Sequence, residues 1–235
     1  MTMPSRRVLL AGLAVTAGAG LAGCAAPGAQ TAARPPVNGL AATPPATGGF
    51  DYAAIYAEVK GERFPVPAID YAKLDRAFLR QDVEYAGRER PGTIVVDPRA
   101  RFLYHVGEGG RARRYGVGVG QEGFGWSGVA DVRSKQEWPD WYPPKEMIKR
   151  RPDIKPMLVK LPSGIGMKGG GDNPVGARGL YLWQGNKDTL YRIHGTVEPY
   201  TIGEAVSSGC IRMINQDAID LYARVPTGTK VVVLA

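Results

Sequence analysis

The chain is short of the residues that most often carry chemistry. Its 235 residues hold two cysteines and two histidines. No cluster of these types has the spacing of a metal site. Long apolar stretches are missing too. The run from Val8 to Leu21 falls short of the roughly 20 residues a membrane span needs, and its many Gly and Ala residues weaken it further. There are no internal repeats and no strongly basic helix, so despite a formal net charge of +8 nothing marks a nucleic-acid binder.

The first segment is instead an export signal. Arg6 and Arg7 precede the apolar run, and Leu21-Ala22-Gly23-Cys24 closes it. That closing tetrapeptide resembles a bacterial lipobox, so residues 1–23 are expected to be removed and Cys24 to be lipidated. Ser5 to Leu10 also resembles a twin-arginine signal, although an ordinary basic leader has the same look. Removal leaves 235 − 23 = 212 residues and takes the formal charge from +8 to +6. Ala25 follows the lipidated position in place of an Asp-type retention signal, which points to the periplasmic face of an outer membrane. Residues 24–49 carry the lipidated Cys24 and then an Ala, Pro, Gly and Thr linker whose one charge is Arg34. Such a composition cannot fold alone and reads as a tether.

Residues 50–91 read as a helical extension. Asp51 is expected to cap a helix from Tyr52 to Val59, and Asp70 a second from Tyr71 to about Tyr85, with Leu74, Phe78 and Val83 or Tyr85 turned inward. The extension is too short for its own core and should pack on the strand-rich residues C-terminal to it. From residue 92 the pattern becomes that of strands: Thr93–Val96, Phe102–Val106, Arg114–Val119, Leu180–Trp183 and Thr189–Ile193, the last two joined through Gly185-Asn186. Gln121 to Arg178 reads as a long aromatic-bearing loop around Phe124, Trp126, Trp138, Trp141 and Tyr142, with a helix or lid at residues 148–161. Asn215 should cap a helix that presents Ala218, Leu221, Tyr222 and Val225, and Thr229–Leu234 should form a buried strand. The fold class expected is mostly β (α+β): a sandwich or meander with a cysteine loop, a C-terminal helix and a short helical preface.

One of the two histidines and one of the two cysteines fall close together. His194-Gly195-Thr196 ends the last hairpin strand, and Ser207-Ser208-Gly209-Cys210-Ile211-Arg212-Met213 lies shortly after it. A thiolate attacks acyl carbons, and an adjacent imidazole can take its proton and return one. If Cys24 bears lipid, Cys210 is a lone thiol in an exported protein, which favours reactivity over packing. His105, inside a strand and without a motif, reads as structural.

These segments, together with Gly203 and Asn173-Pro174-Val175-Gly176, resemble the catalytic domain of the L,D-transpeptidase (YkuD/ErfK-type) family over residues 92–235. The resemblance implies Cys210 as nucleophile, His194 as base and Ser207 as the residue orienting the imidazole, with no metal or organic cofactor. It implies peptidoglycan stem peptides as substrate, or an envelope protein as acceptor. Backbone N–H groups of Gly209 and Cys210 would serve the oxyanion. Gly195 and Thr196 would shape the histidine turn, and Asn173, Tyr181 and Trp183 would wall the pocket. Arg212 would hold either a substrate carboxylate or the cysteine loop. Ser208 stands where many members carry a second histidine. Transpeptidation, hydrolysis of the same thioester and attachment of an envelope protein remain open from sequence, with a non-catalytic tether the weakest reading.

Overall fold

The computed structural model describes residues 49–121, 125–207 and 209–235. The signal segment, Cys24, nearly all of the linker, Phe124 and Ser208 lie outside the described residues.

The elements in chain order are α1 (Tyr52–Ile55), β1 (Gln81–Glu84), β2 (Ile94–Asp97), β3 (Phe102–Val106), β4 (Arg111–Gly116), β5 (Val119–Gly120), β6 (Gly128–Glu137), α2 (Lys145–Arg150), β7 (Val159–Leu161), β8 (Gly164–Gly166), β9 (Arg178–Gln184), β10 (Lys187–His194), β11 (Ala205–Ser207), β12 (Ile211–Arg212), α3 (Asn215–Arg224) and β13 (Lys230–Val233). Nine of the strands form one mixed sheet in the order β1-β4-β3-β2-β13-β6-β9-β10-β12. The C-terminal strand β13 sits at its centre, parallel to β2 and antiparallel to β6. The fold is mostly β, as the sequence leads one to expect.

Alternation along the strands sorts side chains between two apolar layers. Ile94 and Val96 of β2, Leu180 and Leu182 of β9, Ile193 and Ile211 join Ala218, Leu221 and Val225 at α3 in the larger one. Val95, Tyr104, Val106 and Ala112 form the smaller layer with Val83 and Tyr85.

Residues 50–91 depart from the helical expectation. Beyond the four-residue α1 they form two 3₁₀ turns, Tyr71–Lys73 and Arg76–Phe78, each begun by an Asp side chain accepting a backbone N–H. They end in β1, which pairs antiparallel with β4. Two capping aspartates five residues apart divide the segment into single turns, and the open edge of β4 then recruits the alternating Val83 and Tyr85 as a strand. The inward residues were legible although the helix was not: Leu74, Val83 and Tyr85 are buried.

The extension is tied to α3 by a buried polar knot. Arg80 pairs with Asp217 at 2.9 Å and with Asp220 at 3.0 Å, the Tyr56 hydroxyl donates to Asp217, and the Arg80 N–H donates to Tyr56. A second tie runs to β9. Glu62 receives the Arg178 guanidinium and the Trp138 indole N–H, and Arg178 holds the Glu62 carboxyl below the usual range.

The expected loop from Gln121 to Arg178 also contains more structure than its composition suggests. It holds β6, ten residues long and central in the sheet. Only Ala130 and Val132 of that strand are buried apolar residues, so its inward face is too sparse to stand out in sequence. Residues 145–168 comprise α2, a 3₁₀ turn at Pro152–Met157 and the β7–β8 hairpin. Trp138, expected in the loop, is a buried core residue, whereas Tyr142 is exposed.

Candidate active site

The site rests on a parallel pair at the edge of the sheet. Ile193 of β10 lies beside Ile211 of β12, and His194 beside Arg212. Ile193 and Ile211 point into the larger core. Their neighbours on each strand therefore point the other way. Continuing the register back one residue sets Cys210 next to Arg192. Cys210, His194, Arg192 and Arg212 thus share one face. On β9, Tyr181 pairs with Arg192. Its alternation with the core residues Leu180 and Leu182 puts Tyr181 and Trp183 on that same face.

The imidazole is oriented by backbone. Nδ1 of His194 lies 2.6 Å from the Gly195 carbonyl. A carbonyl only accepts, so Nδ1 carries the proton and Nε2 is left as the basic nitrogen. Burial lowers the His194 pKa to about 4. The Gly195 and Val175 carbonyls oppose that shift, while the charges of Arg212 and Arg192 add to it. The ring is therefore neutral at pH 7. Cys210 is a free, partly exposed cysteine. Burial of its thiol raises the pKa, against the pull of the Arg192 N–H and of the two guanidinium groups. A neutral thiol and a neutral imidazole on one face suit general-base activation rather than a resting ion pair.

Two site expectations are corrected by the cysteine loop. The Ser207 hydroxyl donates to the Cys210 carbonyl at 2.6 Å and accepts the Gly209 N–H at 3.2 Å. It closes the loop on itself, and the carbonyl of Gly195 takes the imidazole position expected for Ser207. The Gly209 N–H, expected to face an oxyanion, is turned onto Ser207 instead. Gly209 adopts φ of 120°, which a side chain would resist.

The remaining predicted residues separate into two groups. Asn173 is fully buried and spends its amide inside its own loop, donating to the Met167 and Lys168 carbonyls and accepting the Val175 N–H. It is a brace and not a pocket wall. Thr196 accepts the Glu198 N–H and so shapes the turn. Among the described residues the Arg212 guanidinium pairs with Glu198 at 2.9 Å. The Tyr181 hydroxyl donates to Gln136, and the Arg192 guanidinium stacks 4.4 Å above its ring.

Residues 91–233 match the family model for YkuD, the L,D-transpeptidase catalytic domain. The chain belongs to this family. It is 33% identical over 153 residues to the probable L,D-transpeptidase ErfK/SrfK of Escherichia coli K12, covering 62% of this chain and 44% of that one. A second relative in that organism, the probable L,D-transpeptidase YbiS, is 31% identical over 145 residues, covering 60% and 43%. The chain thus spans a little under half the length of these relatives. A crystal structure from Brucella melitensis, named a probable carnitine operon oxidoreductase, is 52% identical and covers 70% of this chain and 99% of its own, with a TM-score of 0.46.

Several residues of this YkuD site carry no mark in the sequence. Arg192 stands two positions before His194 on a strand, and that parity alone could have placed it on the reactive face. Asn215, expected to cap α3, does something else. Ile214 is the cap residue, and Asn215 reaches sideways, accepting the Ala177 N–H at 3.0 Å and donating to the Thr196 carbonyl at 2.9 Å. It staples the histidine turn to the loop at residues 173–177. A Cβ on Gly195 or Gly176 would run into its Oδ1, so both glycines are needed for this close approach. Nothing local in the sequence marks that contact.

Proposed function

We propose that this YkuD domain is an exported peptidoglycan L,D-transpeptidase with Cys210 as its nucleophile and His194 as its base. The observation that carries the reading is that His194 and Cys210 lie on the same face of the β10–β12 pair, with Nδ1 of His194 2.6 Å from the Gly195 carbonyl. In the proposed reaction Nε2 takes the thiol proton as Sγ attacks the carbonyl joining the third and fourth residues of a stem tetrapeptide. The Cys210 N–H is a donor available to the developing oxyanion. Collapse of the tetrahedral intermediate expels D-alanine, whose amine receives the proton from His194, and leaves a thioester. The side-chain amine of a second stem, deprotonated by His194, then attacks to give a 3-3 cross-link and restore the thiol. Ser207, through its two bonds inside the loop, keeps Cys210 in place for both steps.

The leader and the lipobox-like tetrapeptide support delivery to the cell envelope and a lipid anchor on Cys24. Loss of fatty-acid labelling in Cys24→Ser tests the anchor. The activity is tested by incubation with disaccharide-tetrapeptide. Dimers with loss of D-alanine are expected from the wild type and not from Cys210→Ala. Tripeptide alone would replace transpeptidation with hydrolysis.

A further inference from the structure

Strand β10 is broken just before the reactive face. Its register against β9 shifts between Asp188 and Arg192. Within that bulge Leu190 takes φ of 64°, although it is not glycine and its side chain is 74% exposed. A strained backbone under an exposed apolar side chain gains nothing from packing, so its reason lies elsewhere.

The bulge is held by one carboxylate. Asp188 accepts the Leu190 N–H at 2.8 Å. The same carboxylate takes both arms of the Arg192 guanidinium, at 2.7 and 2.8 Å. Two backbone groups are thereby aimed at the sulfur. The Leu190 carbonyl lies 4.0 Å from Cys210 Sγ, within reach of its S–H, and the Arg192 N–H, across the strand pair from Cys210, is among the groups that pull the thiol pKa down against burial. One group suits the resting thiol and the other the ionised form.

We infer that the Asp188–Arg192 clamp is a positioning device for the nucleophile: it holds the β10 bulge so that the Leu190 carbonyl and the Arg192 N–H grip Cys210 Sγ before and after its proton leaves. Asp188 is a positioning residue that touches neither sulfur nor substrate. When the thiol proton passes to His194, the charge on Sγ is met by a donor already in place. The titratable groups on this face are Arg192 and His194 of β10, Arg212 of β12 and Tyr181 of β9, with Tyr191 near enough to feel the sulfur. The clamp rests on the proposed role of Cys210, but its test does not require turnover.

The readout is the rate at which iodoacetamide alkylates Cys210 between pH 6 and 10, which reports the thiol pKa. Through-space charge alone predicts that Asp188→Ala and Asp188→Asn both alkylate faster at neutral pH, since loss of a negative charge favours the thiolate. The clamp predicts the opposite for Asp188→Ala: slower by about tenfold, equivalent to a rise of one pKa unit. Asp188→Asn keeps an acceptor for Leu190 but loses the two-armed pairing with Arg192, so its rate should fall between those of the wild type and Asp188→Ala.

A second pair of variants leaves every charge untouched. Leu190→Ile, β-branched and disfavoured at positive φ, should slow alkylation, whereas Leu190→Gly should keep it. The exposed position keeps both variants folded if Asp188→Ala is not. Wild-type rates in Asp188→Ala and Leu190→Ile would overturn the clamp whatever the cross-linking result. Clamp-dependent alkylation in an enzyme that neither cross-links nor trims stem peptides would retain the clamp and overturn the proposed function.

Discussion

Adding a single methyl group at Gly195 should be costly, and the cost should vanish in part when Asn215 is removed. The Cβ of Gly195→Ala would meet Asn215 Oδ1 inside contact distance and lie 3.1 Å from the Ala177 nitrogen. Overpacking of this kind costs about 1–3 kcal/mol. Asn215→Ala alone removes the partners of the Ala177 N–H and the Thr196 C=O, and both residues are buried. Each orphaned group costs about 1–3 kcal/mol. In the double variant the clashing Oδ1 is gone, and only the tight approach to Ala177 remains. Its destabilisation should therefore fall near that of Asn215→Ala alone, a coupling of about 1–3 kcal/mol. Urea denaturation of the four proteins at a common m-value measures this directly. Costs that add to within about 0.5 kcal/mol would refute the idea that these two residues meet in the histidine turn.

Acid should act on His194 in two ways. Its folded pKa of about 4 lies below the unfolded 6.5. Above pH 6.5 neither state binds the proton, and as pH falls the unfolded chain binds it first, so stability is lost between about 6.5 and 4. The His194 share of the loss is about 3 kcal/mol, read by urea denaturation as the part of the acid destabilisation that His194→Ala removes; His105, also lowered by burial, contributes to both proteins. The acylation rate should keep its base down to about pH 4; an acid limb centred at 6.5 would contradict a buried neutral imidazole. At the extension, Arg80→Ala strips the fully buried Asp217 of its ion-pair partner and should cost about 3–5 kcal/mol in thermal or urea unfolding. A change below about 1 kcal/mol there would mean that residues 50–91 are not fastened to α3 through this knot.

What sequence revealed and what it missed divide along the range of the interactions. β3 was legible to the residue, and β2, β9, β10 and α3 to within a few, because their apolar periods are local. His194 and Cys210 stood out because histidine and cysteine are rare in this chain, with two of each. β1 and β6 were not, since each depends on neighbours far away in sequence for the edges it pairs with. The same holds for Asn215, whose two partners lie 38 and 19 positions away. Ser207 shows the limit of carrying a role over with a motif: the residue is in the expected place, but its hydroxyl bonds the loop carbonyl at Cys210 and leaves the imidazole to Gly195.

The nucleophile itself can be tested by intact-mass spectrometry after exposure to a carbapenem, whose strained amide a thiolate opens as it would a peptide carbonyl. A single covalent adduct is expected on the wild-type protein, lost in Cys210→Ala and slowed in His194→Ala. A wild-type protein left unmodified after long exposure, or an adduct that survives in Cys210→Ala, would contradict the assignment of Cys210.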